Sequence, residues 1–328
     1  MKIILTGVKP TGTPHIGNYF AAIKPAIDMS RVNKGSFFFI ADYHALTTVK
    51  CKKEMDTQAK QVACTWLACG LDPNTVTFYR QSDIPEVFEL FTILNNVTAK
   101  GLMNRAHAYK ASVAENLEGG RDADFDINMG LYSYPVLMSA DILLFDTDIV
   151  PVGADQKQHV EIASDIAKSF NAIYGQTLKI PEPQIKKDVG MLQGLDGQKM
   201  SKSYNNVIPI FAEEQELKKC IMRIVTDSSP ASEPKPTDHV LFKFYKLMAT
   251  EQQTKEFERK FKTGIGWGDA KKELFEQTNK YLAPMRDSYN YYMANYHEVE
   301  AILQDGAKKA REVAKKTLAR VRKAIGVS

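Results

Sequence analysis

The sequence predicts an α/β protein in which a doubly wound parallel sheet occupies the first part of the chain and a helical domain follows. Three observations predict it. Short apolar runs alternate with helical stretches over roughly the first 200 residues. The first of these runs leads through a glycine turn into a helix and then a second run, which is a βαβ unit. Beyond Ile210 the strand signals nearly vanish and amphipathic helical segments succeed one another.

In chain order, Lys2 to Thr6 reads as a buried strand and Gly7 to Gly12 as a turn containing Pro10. Pro14 suits the first position of a helix whose apolar residues are Ile16, Phe20 and Ile23. Phe37 to Ala41 reads as a second strand, and a helix spans about 55 to 69. Val76 to Arg80 and Asp148 to Val152 are further strands. From about Pro85 to Asp126 the chain is helical and then polar and glycine-bearing ("ENLEGGRDADFD"), an insertion ending in an exposed loop. "SSPASEPKPT", from Ser228 to Thr237, is the clearest loop of the helical half. The last helix, Val299 to Ile325, carries an apolar stripe of Ala310, Val313, Ala314, Leu318, Val321 and Ile325. Its other faces are basic, which suits either contact with nucleic-acid phosphates or solubilisation of a packing helix. The organisation is an α/β domain over 1–205 with a helical insertion at about 85–130, a helical domain over 206–298, and a basic amphipathic helix over 299–328.

Composition narrows the classes. With 328 residues, 44% hydrophobic and 25% charged, the chain is ordinary globular protein, large enough for a substantial core. A net charge of +4 does not by itself announce a nucleic-acid binder. The four cysteines form no CxxC pair, which argues against a zinc or iron–sulfur site and for reduced thiols in a cytoplasmic protein. No apolar run approaches a membrane span.

Two motifs carry chemistry. "KPTGTPHIGNY" lacks the glycine spacing of both the dinucleotide fingerprint and the P-loop. It places His15 and Asn18 on one face of a first helical turn, with Gly17 between them. The expectation is that a flat base packs on Gly17 and that the amides of the turn attract phosphate. In "GLDGQKMSKSYNN", Lys199 and Lys202 stand three apart beside Ser201 and Ser203. Glycines would let such a loop swing two mobile positive charges onto a pyrophosphate and withdraw them. A solvated surface turn is the bland reading of the same residues, but five specified residues in order are much rarer by chance than a single GxG.

A His-x-Gly turn after the first strand, a late KMSKS loop and a helical domain resemble the layout of class I aminoacyl-tRNA synthetases. "TGVKPTGTPHIGNY", "ADYHALT", "SYPVLMSADILLFDTDIVPVGADQKQHVE" and "GLDGQKMSKSY" narrow that likeness to the bacterial tryptophanyl-tRNA synthetase family, and "IVTDSS" extends it weakly into the helical half. The resemblance implies a Rossmann-like nucleotide-binding fold and two reactions. The carboxylate of L-tryptophan attacks the α-phosphate of ATP, which Mg2+ accompanies; the aminoacyl group then passes to the 3′ end of tRNA(Trp).

The resemblance also implies site residues. Lys9, Pro10, Thr11, His15, Gly17, Asn18, Gly153, Ala154 and Asp155 fall at ATP positions, with Leu192 near the adenine. Lys199, Met200, Ser201, Lys202 and Ser203 form the phosphate loop, and Lys110 helps to hold the phosphates; of these, Lys110, Lys199, Ser201 and Lys202 take the catalytic roles. Asp141 matches the tryptophan-binding carboxylate. An indole offers one donor and no acceptor, so a buried carboxylate suits it and is left unsatisfied by phenylalanine. Leu5, His44, Tyr134, Met138, Ile142 and Gln156 match the rest of that pocket, and His159 reads as a structural histidine. No general base is needed, because the attacking carboxylate is already ionised.

Three departures stand out: Lys9 where many relatives have glutamine, Leu5 in place of an aromatic residue, and Asn18 in place of the second signature histidine. The family resemblance implies a homodimer joined through the helices after Pro85, no metal held by the protein itself, no membrane and no DNA. The aromatic run "YNYYMANYH" (Tyr289 to His297) has spacing that fits helix packing. The alternatives are a tyrosyl-tRNA synthetase and a non-catalytic paralogue that binds tRNA or tryptophan; a small-molecule nucleotidyltransferase would not need the helical half.

Overall fold

The computed structural model describes residues 2–10, 12–153, 156–185 and 192–327, with Lys202 described by its backbone alone. Five strands form: β1 (Leu5–Val8), β2 (Phe37–Ile40), β3 (Thr77–Arg80), β4 (Ile149–Val152) and β5 (Glu182–Ile185). β1, β2 and β3 pair in parallel, with Leu5 opposite Phe37 and Phe37 opposite Thr77. β4 pairs in parallel with β5, and a parallel bridge between Ile4 and Ile149 joins β4 to the free side of β1. The spatial order is therefore β3-β2-β1-β4-β5. It reverses between β1 and β4, and doubly wound sheets bind ligands beyond the carboxyl ends of the strands at such a reversal.

β5 was not foreseen from the sequence. It reads Glu-Pro-Gln-Ile, is largely exposed and lies at the sheet edge, where Pro183 need not donate a ladder bond. β1 begins later than Lys2, although Ile3 and Ile4 already accept bonds from β4 and β2.

The first helix starts at Ile16, two residues beyond Pro14, with His15 as its cap. At Tyr19–Ile23 it widens into a π turn, in which Lys24 N–H reaches back to Tyr19 O. Pro25 explains the widening: it has no N–H, and its ring would crowd the carbonyl four residues earlier. Helices Lys52–Ala68, Met129–Leu143 and Lys157–Tyr174 cover the sheet, and helices Glu86–Asn95, Lys100–Met103 and His107–Glu118 build the insertion.

The helical half consists of Glu214–Met222, Val240–Met248, Glu251–Thr263, Trp267–Ala294 and Tyr296–Ile325. Its core is continuous with one face of the sheet: Ile16, Phe38 and Trp66 share a cluster with Leu241, Phe257, Leu282 and Leu303. The last helix packs back on the catalytic half, burying Ala310, Ala314, Leu318 and Val321 with Val87, Leu90 and Phe145. It lies so close to β3 that a Cβ on Gly306 would stand 1.8 Å from the Phe78 carbonyl oxygen. This covers the outer strand of the sheet. Arg311, Arg320 and Arg322 of that helix pair with Glu86, Asp146 and Glu89, so these basic groups serve packing between the two halves of the chain. Among the described residues no helix is long and apolar enough to cross a membrane.

Candidate active site

A cavity of about 670 Å3 opens at the carboxyl ends of β1 and β4, within the ~300–1,000 Å3 usual for small-molecule sites. β1 and the turn after it supply Leu5, Thr6, Gly7, Val8, Lys9 and Gly12, and the first helix supplies Asn18. β2 and the short helix Asp42–Ala45 supply Phe39 and His44. Helix Met129–Leu143 supplies Tyr134, Met138, Asp141 and Ile142, while the end of β4 supplies Gly153 and, just beyond, Gln156. Gly7 is required by close approach: a Cβ there would lie 2.5 Å from the Phe39 ring. Phe39 therefore gives the pocket an aromatic wall from β2, where Leu5 on β1 lacks one.

Asp141 is 2% exposed. His44 Nε2 lies 2.9 Å from its Oδ2, and Gln81 Nε2 donates to Oδ1 at 3.0 Å and Oδ2 at 2.9 Å. Burial pushes the Asp141 carboxyl above the usual range, and the bonds from His44 and Gln81 oppose that rise. Beside it, Tyr134 Oη is hydrogen-bonded to His159 Nε2, and His159 Nδ1 lies 2.8 Å from Gln156 Oε1. If the glutamine oxygen takes the Nδ1 proton, Nε2 must accept from the tyrosine hydroxyl. His159, 4% exposed, thus sits behind Tyr134 and orients it. Lys9, whose Nζ donates to Thr47 Oγ1 at 3.3 Å, lines the cavity, and burial lowers its ammonium pKa.

The signature turn is more closed than its sequence implies. His15 Nδ1 accepts from Asn18 N–H at 3.3 Å, Asn18 Oδ1 accepts from His15 N–H at 3.2 Å, and Ile16 N–H donates to Ile208 O. These amides are engaged within the protein, which corrects the expectation that they stand open to phosphate. Nor is the space over Gly17 open to a base: a Cβ there would meet the His15 ring at 2.9 Å and Met200 Sδ at 3.1 Å.

The lysine–serine loop is tied down around that methionine. Gly194 N–H donates to Gln198 O at 2.6 Å, and Gln193 bridges Lys199, making a hairpin with Gly197 at φ 79°. Asn206, 2% exposed, staples it: Nδ2 donates to Asp196 Oδ1 and Lys199 O, and Oδ1 accepts from Ser201 N–H at 2.8 Å. Met200 is buried, Lys199 and Ser203 are exposed, and Ser201 and Ser203 hydroxyls lie 2.7 Å apart.

A family model described as tRNA synthetases class I (W and Y) matches residues 1–283. A tryptophan–tRNA ligase of Neisseria meningitidis is 51% identical, across 99% of this chain and 98% of its own length. The chain belongs to the bacterial tryptophanyl-tRNA synthetases of class I. A tryptophan–tRNA ligase of Pseudomonas putida is 50% identical over 99% of this chain and 73% of its own. A crystal structure of tryptophanyl-tRNA synthetase from Campylobacter jejuni, complexed with ADP and tryptophan, superposes with a TM-score of 0.91 at 42% identity, covering 100% of both chains. The Rossmann-like domain followed by a helical domain is the fold of this family.

Against that family pattern, Leu5, Lys9, Asn18, His44, Tyr134, Met138, Asp141, Ile142, Gly153 and Gln156 meet in one cavity. Pro10 and Leu192 are not part of its wall: Pro10 is buried, and Leu192 O accepts from Met200 N–H at 3.3 Å. Lys110 is not brought there. It is exposed on helix His107–Glu118, whose Ala108 lines the cavity, and two residues along a helix turn a side chain to nearly the opposite face. Lys199, Ser201 and Ser203 are likewise outside the cavity wall in this arrangement of the loop. Thr11, Ala154, Asp155 and the Lys202 side chain lie outside the described residues. Sequence reasoning missed Gln81, Phe39 and Asn206. Gln81 immediately follows β3 at the carboxyl edge of the sheet, and that position was the available signal.

Proposed function

We propose that the chain is a tryptophan–tRNA ligase: it activates L-tryptophan with ATP and transfers the tryptophanyl group to tRNA(Trp). The observation that carries this reading is the buried Asp141 carboxylate in a largely apolar cavity at the sheet's switch point. The indole N–H donates to it, while Leu5, Phe39, Met138 and Ile142 face the rings. Phenylalanine would leave the carboxylate without that donor. With the His159 proton on Nδ1, Tyr134 donates to Nε2 and turns its oxygen lone pairs toward the substrate ammonium.

The substrate carboxylate attacks Pα of ATP. A Pα–O bond forms to the amino acid, the bond to the bridging oxygen breaks, and pyrophosphate leaves. Lys9 and Asn18, on the cavity wall, meet the nucleotide; positive charge there stabilises the charge that develops on the phosphoryl oxygens. The loop carrying Lys199, Ser201, Lys202 and Ser203 moves from its stapled position onto the leaving pyrophosphate, releasing Met200 from Gly17 and clearing space for the adenine. Mg2+ arrives with ATP as part of the substrate. In the second step a ribose hydroxyl at the tRNA 3′ end attacks the adenylate carbonyl, and AMP leaves.

The helical half is the tRNA-binding part in this reading. The homodimer forms through the inserted helices, where Leu117, Phe125 and Met129 are exposed. Four free cysteines suit a reducing cytoplasm. The test is charging: labelled tryptophan should appear on tRNA(Trp) and labelled tyrosine should not appear on tRNA(Tyr). The reverse result would make the chain a tyrosyl enzyme, and binding without charging would make it a regulator.

A further inference from the structure

We propose that Gln81 is a positioning residue for amino-acid selection: its carboxamide, behind Asp141, fixes the carboxylate so that Oδ1 is the atom presented to the indole N–H. This rests on the reading of Asp141 as the indole acceptor.

Counting donors gives the direction. Each carboxylate oxygen accepts about two hydrogen bonds. Oδ2 already takes His44 Nε2 and Gln81 Nε2, whereas Oδ1 takes Gln81 Nε2 alone. One acceptor position is therefore left, and it is on Oδ1. Gln81 is fully buried, and it is not part of the cavity wall, so it acts through Asp141 and not on the ligand.

Its own carbonyl oxygen, Oε1, is buried with no hydrogen-bond partner among the described residues. A glutamine retained only for packing would satisfy both ends of its amide. Here one end is sacrificed, because turning the amide over would set its oxygen against the carboxylate. The turn that carries Gln81 is itself anchored: Asp42 Oδ1 accepts from Ser82 N–H at 3.1 Å, and its Oδ2 accepts from the Ser82 hydroxyl.

The titratable groups facing Asp141 are His44 from helix Asp42–Ala45 and Tyr79 from β3. Arg80 turns away to Asp83 and Glu300. Gln81 is thus one of two groups whose hydrogen bonds oppose the rise that burial imposes on the Asp141 pKa. Without it the carboxylate protonates more readily, and a protonated Asp141 is a poorer acceptor for the indole.

The experiment compares equilibrium binding of tryptophan and of 3-benzothienylalanine, which has sulfur in place of the ring N–H, to the full-length parent, to Gln81→Met and to Gln81→Glu. In Gln81→Met, tryptophan should bind about tenfold or more weakly, with the deficit growing as pH falls, while the analogue is unaffected. Gln81→Glu should show the opposite slope: two adjacent carboxylates repel at alkaline pH and share a proton at acidic pH, so tryptophan binding improves as pH falls. Equal weakening of both ligands in Gln81→Met, or a Gln81→Glu slope matching the parent's, overturns the proposal while leaving Asp141 as the acceptor. If Gln81→Met fails to fold, the near-isosteric Gln81→Glu decides by the sign of its slope. A parent that binds both ligands equally overturns the Asp141 reading and this proposal together.

Discussion

Replacing Asp141 by Asn keeps the side chain's size and removes its charge, with opposite consequences for activity and stability. In the parent the carboxylate accepts from His44 and Gln81 at 2.9–3.0 Å and has one acceptor position left for the indole. An asparagine has one oxygen for those two donors, and its amide nitrogen faces whichever donor the oxygen does not take. The indole then loses a charged acceptor, a bond of about 1.5–3 kcal/mol. At about 1.36 kcal/mol per decade, kcat/KM for tryptophan should fall roughly ten- to 150-fold in the exchange of labelled pyrophosphate into ATP.

Stability moves the other way with pH. Burial raises the Asp141 pKa above its ordinary 3.8. A group whose folded pKa lies above its unfolded value contributes stability that is full below the unfolded pKa and lost as pH rises through the folded one. Asparagine does not titrate, so the Tm of the variant relative to the parent should climb as pH rises from below about 4 toward neutrality. A kcat/KM for tryptophan within about threefold of the parent would refute the acceptor role, since that is under 1 kcal/mol. A Tm difference that stays flat across this range would refute the electrostatic reasoning.

Gly306→Ala places a methyl 1.8 Å from the Phe78 carbonyl oxygen, so the last helix must lift from β3; calorimetry should show a loss of about 1–3 kcal/mol or more, against which an unchanged Tm would count. Asp227 accepts from the Ser229 hydroxyl and backbone N–H and from Trp267 Nε1, and these bonds hold its pKa down at about 2. Because that pKa is depressed, its stabilisation is present above the ordinary 3.8 and disappears as pH falls through about 2, so the Tm deficit of Asp227→Ala should be full at neutral pH and fade in acid. Lys199→Ala should slow adenylate formation by about 10²–10³ while tryptophan binding changes little, the pattern of a group that acts on the leaving pyrophosphate; equal losses in both would remove it from that role.

Much of this was legible in the sequence where residue type and geometry agree. Phe37 to Ile40 is apolar throughout and forms a strand buried on both faces. The stripe on the last helix has a clear 3.6-residue period, and its inner members are buried. Asp141 stood out because a charge among apolar residues rarely lacks a purpose. Other features depend on contacts between distant parts of the chain. β5 has neither apolar alternation nor β-branched residues until Ile185, and it exists because β4 offers it a partner. The Ile16 amide of the signature turn is taken by Ile208, 192 positions away in sequence, and Gly17 is covered by Met200. Lys110 fits the family's order of residues, yet the helix turns it to solvent, which no linear spacing could reveal. Gln81 is an uncharged residue whose meaning appears only once β3 ends beside the helix that carries Asp141.

The central claim is that the cavity between β1 and β4 joins tryptophan, and no other aromatic amino acid, to ATP. Exchange of labelled pyrophosphate into ATP in the presence of tryptophan, tyrosine or neither tests it most directly. The account predicts exchange with tryptophan alone. Exchange driven by tyrosine would contradict the reading of the pocket, and a folded protein that exchanges with neither would contradict the catalytic role of the site.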